Sequence, residues 1–490
     1  MFPIIFLFSN NINTPTEEII FPIIVTLLIT FVMWVILKKV LKNQNKSTII
    51  ITVGIILFFS YGHLFEVLNS NYPSFFIFYI HLSLLILYLS IFGLFSFFII
   101  RGKWNFNNLV KILNAVGITL VIFPIIVIGQ FFIIDSNYDL EQNIYEKNEN
   151  LSIDKLPDVY YIIPDAYAGS KALKKVFNYD NSDFQNFLYE KGFNISEESY
   201  SNYMATRFSI PSTLNMKYLN YIYNDTKSVN FMDRELYKVS HNPEVISKFK
   251  SLGYNTYVIE SGVLSWDTPT SNIKNADYRL CNTTNILGTE FMSILIQTTV
   301  INPVQAKLFA KDHRDKILCG FSELNKLSEN SDSPKFVLVH IMAPHPPYVF
   351  GSNGEELNPK NLKQNDIENN YDGDFYLGQL EFVNLMMKES INKILSTKNS
   401  PIIIIESDHG LKEKYFEDEK SVFLGHFNNF KAYYFPNIGK NPEFEESMPV
   451  NSFRILFNIY FNEDYEILEN KIYTLEDNKY KFREITGIFD

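Results

Sequence analysis

Apolar and polar residues are distributed unevenly along the chain. Up to about residue 134 the sequence consists mainly of Ile, Leu, Phe and Val, whereas from Asp135 onward it is polar and charged with short apolar runs. Four uncharged stretches in the first part have the length of about 20 residues that a helix needs to cross a hydrocarbon core of roughly 30 Å. They are residues 19–37, 47–65, 74–100 and 112–134. The pattern predicts an α-helical membrane domain of four transmembrane helices, residues 1–134, followed by a soluble domain.

The loops between these stretches differ in charge. The basic residues gather between the first and second stretches and between the third and fourth: Lys38, Lys39, Lys42 and Lys46, then Arg101, Lys103 and Lys111. Because cytoplasmic loops carry an excess of Lys and Arg, both loops are predicted to be cytoplasmic. Both termini then face outward. The sequence therefore predicts a multi-pass protein of the cell membrane whose large C-terminal domain is extracytoplasmic.

The polar part begins with a stretch that has no apolar periodicity, residues 135–156, which is typical of a linker. From residue 157 onward, short β-branched runs alternate with amphipathic stretches. The predicted strands are residues 159–163, 254–259, 336–341 and 402–405, and the predicted helices include 184–190, 243–252 and 377–395. Alternation of this kind predicts an α/β domain with a doubly wound sheet over residues 157–490.

Composition excludes several classes of function. The formal net charge of −11 argues against a nucleic-acid partner, which would need a basic face. No glycine-rich phosphate loop is present. The only two cysteines, Cys281 and Cys319, are too few for a thiolate metal site. A disulfide between them is permitted outside the cytoplasm, but it cannot be deduced from the sequence.

Two of the predicted strands are followed directly by metal-binding residue types. Asp165 follows the first strand, and Asp408 and His409 follow the last one. Parallel strands bring such residues to one edge of a sheet. Two carboxylates and an imidazole form an oxygen and nitrogen site that suits Zn²⁺ or Mn²⁺. The sequence therefore predicts a divalent metal centre at this edge.

A predicted helix begins at Thr206 with several residues that carry hydroxyl groups. A hydroxyl group beside a metal and a helix N-terminus can lose its proton and act as a nucleophile, although an isolated Thr there more often serves as an N-cap. Ser209 is the alternative nucleophile if the register assigned to this segment is wrong. His345 and His426 lie in loops after other apolar runs. His340 is assigned no ligand role and is expected to be buried near the ligands.

In order and spacing, these segments resemble the alkaline phosphatase superfamily. The resemblance is to its membrane-anchored, sulfatase-like branch, which includes phosphoethanolamine transferases and lipoteichoic acid synthases, and it covers residue 157 to about residue 430. It implies an alkaline phosphatase-like sheet. It also implies a role for each matching residue: Asp165, Asp408 and His409 as metal ligands, Thr206 as nucleophile and fourth ligand, and His345 and His426 as residues that hold a second metal or the phosphate of the substrate.

The resemblance further implies a metal-dependent phosphotransferase or phosphoric ester hydrolase that acts through a covalent Thr intermediate. A phospholipid or envelope glycan is the expected substrate. The lipid bilayer is expected to surround the membrane helices. Thr213 stands where formylglycine sulfatases carry Arg, and Leu411 stands where many relatives have Glu. A sulfuric ester hydrolase is therefore disfavoured but stays open, as does a non-catalytic membrane scaffold that retains the fold.

Overall fold

The structure is a computed structural model that describes most of the chain. The described residues are 1–10, 16–70, 77–136, 156–222, 229–261, 269–281, 290–329, 334–357, 373–397, 400–411, 418–476 and 481–488. The predicted linker, residues 135–156, lies almost wholly outside them.

The helices are numbered in chain order. They are α1 (Phe2–Asn10), α2 (Thr16–Leu41), α3 (Gln44–Ser70), α4 (Ile77–Arg101), α5 (Asn107–Ser136), α6 (Ser170–Phe177), α7 (Ser182–Glu190), α8 (Thr206–Leu214), α9 (Val229–His241), α10 (Glu244–Ser251), α11 (Glu290–Gln297), α12 (Asn302–Glu329), α13 (Gly373–Leu395), α14 (Glu419–Phe427), α15 (Pro442–Glu446) and α16 (Ser452–Phe461). Short 3-10 helices occur at Pro269–Asn272, Pro449–Asn451 and Thr486–Ile488.

The strands are β1 (Val159–Pro164), β2 (Asn194–Ile195), β3 (Asn255–Ser261), β4 (Tyr278–Leu280), β5 (Lys335–Ile341), β6 (Ile402–Glu406), β7 (Lys431–Tyr434), β8 (Tyr473–Leu475) and β9 (Phe482–Glu484). The last two form a separate two-stranded sheet, and the other seven form the main sheet.

Four helices in the described part of the chain, α2 to α5, are long and apolar enough to cross a membrane. The four predicted spans lie on these helices, apart from residues 74–76, which are outside the described residues. The prediction of four transmembrane helices is thus confirmed by length and composition. Each helix satisfies its own backbone hydrogen bonds, which is what a segment surrounded by lipid requires.

The chain forms two compact units, and the first contains α1 to α5 together with α11. Phe291 and Leu295 of α11 are buried among apolar residues of α1, α2 and α3. The amide of Gly62 on α3 donates to the carbonyl oxygen of Thr298 at 3.0 Å. A Cβ at Gly62 would lie 1.7 Å from the carbonyl oxygen of Gln297, so only glycine permits this approach. The predicted domain boundaries stay a prediction. The range predicted for the α/β domain, 157–490, includes α11, which belongs to the first compact unit.

The main sheet of the second unit has the strand order β2-β7-β6-β1-β5-β3-β4. Strands β6, β1, β5, β3 and β4 run parallel, and β7 pairs antiparallel with β6 and with β2. All four predicted strands are present in it, and the α/β fold class is confirmed. Strands β1, β5 and β6 are buried along their whole length, because helices of an α/β fold cover both faces of a parallel sheet.

A tightly packed aromatic cluster supports the sheet. Phe249 of α10 stacks on Phe336 of β5 with ring centroids 4.1 Å apart. Phe453 of α16 meets the ring of Tyr161 at 4.9 Å. These rings belong to one hydrophobic core cluster of the second unit, and aromatic pairs at such distances contribute stability beyond the area they bury. The two cysteines, Cys281 and Cys319, form a disulfide bond.

A buried ion pair ties β1 to β5 at the end of the sheet opposite the predicted site. Lys335 Nζ lies 2.9 Å from Asp158 Oδ2, and the side chains are 1% and 6% exposed. The backbone amide of Lys335 also donates to Asp158 Oδ1 at 3.0 Å. Because both charges are removed from water, each depends on the other for compensation.

Lys335→Met is expected to lower the free energy of unfolding by about 3–5 kcal/mol, since it leaves the Asp158 carboxylate buried without its cation. Chemical denaturation of the detergent-solubilised full chain measures the change. Lys311→Met is the matched control, because Lys311 and its partner Asp315 are 71% and 55% exposed. The control is expected to leave stability essentially unchanged, because solvent screens an exposed pair. Equal effects of the two substitutions would contradict the prediction.

Candidate functional site

Three neighbouring strands deliver the polar residues of the site to one edge of the main sheet. Asp165 follows β1 directly, and Asp408 and His409 follow β6, the neighbour of β1 on one side. His340 lies near the end of β5, the neighbour on the other side, paired in register with Ile163. Since the three strands are parallel, their carboxyl ends meet, and this juxtaposition brings the predicted ligands together.

Asp165, Asp408 and His409 form a compact set of groups that could bind a metal ion. One ligand atom from each lies within 4.8 Å of the others, and all three side chains are buried. His409 Nε2 is 3.6 Å from Asp165 Oδ1 and 3.5 Å from Asp408 Oδ2. The two carboxylate oxygens therefore flank a single imidazole nitrogen.

A hydrogen bond sets the orientation of the His409 ring. His409 Nδ1 lies 2.7 Å from the carbonyl oxygen of Gly410. A carbonyl oxygen only accepts hydrogen bonds, so Nδ1 carries the proton. In the neutral ring the lone pair is then on Nε2, the nitrogen that faces the two carboxylates. This is the usual arrangement for a metal-binding histidine.

Thr206 lies beside the three ligand groups, at the first position of α8. Its Oγ1 is 3.3 Å from His409 Nε2 and 3.5 Å from Asp165 Oδ2. Ser209 is arranged differently, because its hydroxyl group donates to the carbonyl oxygen of Tyr203 at 2.9 Å. Of the two predicted hydroxyl groups, the structure thus brings Thr206 to the ligand cluster.

The two remaining predicted histidines, His345 and His426, contact different segments of the site. The ring centroid of His345 is 6.3 Å from that of His409, and its backbone amide donates to the carbonyl oxygen of Asp165 at 3.1 Å. His426 on α14 is buried, and its carbonyl oxygen accepts from the amide of Gly410 at 2.7 Å. The backbone of both histidines is therefore tied to the segments that carry the ligands. Their roles stay predictions.

Backbone contacts hold the Ser-Asp-His-Gly segment in place. Ser407 Oγ donates to the carbonyl oxygen of His409 at 2.8 Å and accepts from the amide of Tyr167 at 2.9 Å. A Cβ at Gly410 would lie 2.2 Å from the carbonyl oxygen of Gly425. The glycine of this motif is therefore explained by the close approach of a second backbone.

The two carboxyl groups have opposite pKa shifts. Burial alone would raise the pKa of Asp165, but three histidines lower this pKa to well below its usual value: His345, His340 and His409. For Asp408, burial and then the negative charge of Asp165 raise the pKa. The pair is a buried site of excess negative charge, which a cation stabilises.

Sequence patterns did not reveal all residues of the site. His340 Nε2 lies 3.0 Å from Asp165 Oδ2, and its Nδ1 lies 3.2 Å from Thr270 Oγ1. His340 was expected to be buried near the ligands, but no motif indicated Thr270. His313 on α12 is fully buried, and burial followed by the charge of His345 lowers its pKa to about 3. Its polar surroundings in the sequence gave no signal for this burial.

The family model for sulfatases matches residues 179–443, which is more than half of the 490 residues. The chain belongs to the sulfatase family. The matched range contains Thr206, Asp408 and His409, whereas Asp165 precedes it. The sulfatase match confirms the resemblance seen in the sequence. No curated protein matches the chain.

Several solved structures resemble this sulfatase-family chain at low identity. The C-terminal periplasmic domain of EcEptC from Escherichia coli in complex with Zn is 10% identical, with a TM-score of 0.43, over 70% of this chain and 95% of that one. Lipooligosaccharide phosphoethanolamine transferase A from Neisseria meningitidis is 14% identical, with a TM-score of 0.42, over 93% and 92%. A putative sulfatase from Bacteroides thetaiotaomicron is 11% identical, with a TM-score of 0.38, over 63% and 72%.

The residues of this sulfatase-family site fit a divalent metal. Asp165 Oδ1 and Asp408 Oδ2 are buried and accept no hydrogen bond from any residue that the structure describes. Buried carboxylate oxygens are normally paired, so two such oxygens beside His409 Nε2 are suited to bind a cation. Two oxygens and one nitrogen suit Zn²⁺ or Mn²⁺, and this donor set does not choose between them.

Asp408→Asn is expected to abolish tight metal binding, because the amide keeps the shape of the carboxylate but loses its charge. The full chain, purified without chelator, is expected to retain about one zinc or manganese per chain in elemental analysis by mass spectrometry. Asp277→Asn is the control, since Asp277 is paired with Lys250 away from the ligands. Equal metal content in wild type and Asp408→Asn would contradict the assignment.

Proposed function

We propose that this sulfatase-family protein is a membrane-anchored, metal-dependent phosphotransferase or phosphoric ester hydrolase that acts through a covalent intermediate on Thr206. The observation that carries the proposal is the position of the Thr206 hydroxyl group, 3.3 Å from His409 Nε2 and 3.5 Å from Asp165 Oδ2. A hydroxyl group buried among metal-binding groups at the start of a helix is well placed to become a nucleophile.

Asp165, Asp408 and His409 are proposed to hold the metal, with Thr206 as a fourth ligand. Zn²⁺ or Mn²⁺ would supply Lewis-acid chemistry there, lowering the pKa of the Thr206 hydroxyl group so that it is usable near neutral pH. The protein groups orient that hydroxyl group. Thr206 occupies the first position of α8, where the positive end of the helix dipole favours a bound phosphate.

In the first step, Thr206 Oγ1 attacks the phosphorus atom of a phosphodiester. A bond forms between Oγ1 and phosphorus while the bond from phosphorus to the departing group breaks. The departing group leaves with the electron pair and takes up the proton that Thr206 Oγ1 has given up, becoming a free alcohol. His345 and His426 are proposed to contact the phosphate or a second metal, which agrees with the link between the His345 amide and the Asp165 carbonyl oxygen.

In the second step, an acceptor hydroxyl group attacks the same phosphorus atom. The new bond from oxygen to phosphorus replaces the bond to Thr206 Oγ1, and the proton of the acceptor restores the Thr206 hydroxyl group. A lipid or sugar hydroxyl group as acceptor gives a transferase, and water gives a hydrolase. Four membrane-spanning helices bring the chain to the bilayer surface, which favours a phospholipid or an envelope glycan as substrate.

The charge of the loops supports placing the catalytic domain outside the cytoplasm. Lys38 and Lys39 lie in the last turn of α2, and Lys46 lies in the first turn of α3, at the helix ends proposed to be cytoplasmic. The disulfide between Cys281 and Cys319 fits an oxidising compartment. Both observations agree with action on lipids or glycans of the outer leaflet.

Incubation of the detergent-solubilised full chain with a phosphatidylethanolamine donor or an aryl phosphodiester is expected to add one phosphoryl-linked group. Intact mass and peptide mapping would locate the adduct on Thr206. Thr206→Ala is expected to lose the adduct and at least about 10³-fold of the turnover, because the variant lacks the hydroxyl group proposed as the nucleophile. Ser209→Ala is the matched control and is expected to keep both.

Three results would change the proposal. An adduct that maps to Ser209 would move the nucleophile to Ser209 and keep the enzyme class. Turnover of an aryl sulfate in preference to the aryl phosphodiester would replace phosphate with sulfate chemistry. Metal-free protein with neither adduct nor turnover would support a non-catalytic scaffold.

A further inference from the structure

The two oxygens of the Asp165 carboxylate have different surroundings. Oδ2 lies 3.0 Å from His340 Nε2 and 3.5 Å from the Thr206 hydroxyl oxygen. Oδ1 accepts no hydrogen bond from the described residues and lies 3.6 Å from His409 Nε2. The bond to His340 therefore determines which of the two oxygens lies beside His409 Nε2.

The ring of His340 is held at both nitrogens. Its Nε2 faces a carboxylate, which accepts hydrogen bonds when ionised, so Nε2 carries a proton in either charge state of the ring. Its Nδ1 lies 3.2 Å from Thr270 Oγ1. His340 is 1% exposed and Thr270 is 0% exposed, so water does not compete for either bond. The ring cannot rotate without leaving a buried polar group unpaired.

Thr270 is itself fixed in position. It lies in the 3-10 helix Pro269–Asn272, and the amide of Ile273 donates to its carbonyl oxygen at 3.3 Å. The next residue, Ser271, accepts through its carbonyl oxygen from Arg279 Nη2 at 2.6 Å. Arg279 in turn pairs with Glu260 of β3 at 2.7 Å. The short helix is thus tied to two strands of the main sheet.

We propose that Thr270 and His340 form a positioning pair that turns Asp165 so that Oδ1 points to the metal. The hydroxyl group of Thr270 fixes the ring, and the ring fixes Oδ2 of the carboxylate. Neither residue touches the metal or the substrate. The inference rests on the proposed function in one respect, namely that Asp165 is a metal ligand.

Thr270→Val removes the hydroxyl group and keeps the shape of the side chain. It is expected to weaken zinc binding by about tenfold, the lower limit for partners of metal ligands, in competition with a chromogenic chelator on the detergent-solubilised full chain. Thr270→Ser is expected to restore the affinity. The kcat of Thr270→Val is expected to recover at saturating zinc, since the pair affects only the orientation of a ligand.

His340→Leu tests whether Thr270 acts through His340. It is expected to weaken zinc binding by up to about 100-fold. Adding Thr270→Val to His340→Leu is expected to cause no further loss, because the hydroxyl group then has no ring to fix. Additive losses in the double variant would show that Thr270 acts by another route.

Thr256→Val is the matched control. Thr256 is 0% exposed, and its hydroxyl group donates to Asp277 Oδ2 at 2.7 Å, away from Asp165. The control is expected to lower the melting temperature about as much as Thr270→Val does, yet leave zinc affinity unchanged. If Thr270 had only a structural role, Thr270→Val would lower the melting temperature without changing the zinc affinity of the folded protein.

The failure of this inference differs from the failure of the proposed function. Zinc binding in Thr270→Val equal to that of a metal-binding wild type would overturn the positioning pair and leave the metal centre intact. A wild type that binds no divalent metal would overturn both. Weakened binding in Thr256→Val of the same size as in Thr270→Val would also overturn the positioning pair, because the effect would then be unspecific.

Discussion

Two buried carboxylates that lie close to the same imidazole nitrogen are the constraint on which the site depends. Asp165 and Asp408 are both removed from water, and the negative charge of Asp165 opposes ionisation of Asp408. Such an arrangement persists in a folded protein when cationic or hydrogen-bonding partners surround it. The histidines near Asp165 supply part of that compensation, and the proposed metal would supply the rest. These charged groups, together with the proposed metal, would make the nearby Thr206 hydroxyl group reactive.

The sheet makes this arrangement possible because its central strands are rigid. Strand β1 is hydrogen-bonded on both sides, and the aromatic cluster around Phe249 packs against the sheet. The residues that follow the strands are held by further backbone contacts, such as those of Ser407 and Gly410. A catalytic centre needs its groups within a fraction of an ångström, and strand ends provide this more reliably than free loops. The positioning pair of Thr270 and His340 would extend the same principle to a single carboxylate.

Prediction from the sequence succeeded where one physical pattern dominated. Four long apolar stretches identified the membrane helices, and β-branched runs identified β1, β3, β5 and β6. The pattern did not reveal β7, since its sequence Lys-Ala-Tyr-Tyr has little apolar periodicity and the Lys431 ammonium is buried by contacts with the carbonyl oxygens of Phe444 and Ser447. Nor did it reveal α11, whose apolar face resembles that of any amphipathic helix but packs with membrane helices.

The sequence by itself determined the fold class, the membrane-spanning segments and the identity of Asp165, Thr206, Asp408 and His409 as candidates, because periodicity and residue order are properties of the chain. Only the tertiary structure decided which oxygen and nitrogen atoms meet. The Thr206 hydroxyl group lies beside His409 and Asp165, whereas the Ser209 hydroxyl group donates to the Tyr203 carbonyl oxygen. It also brought Thr270 to His340, although 70 residues separate them. Contacts between distant segments depend on packing, which no local pattern records.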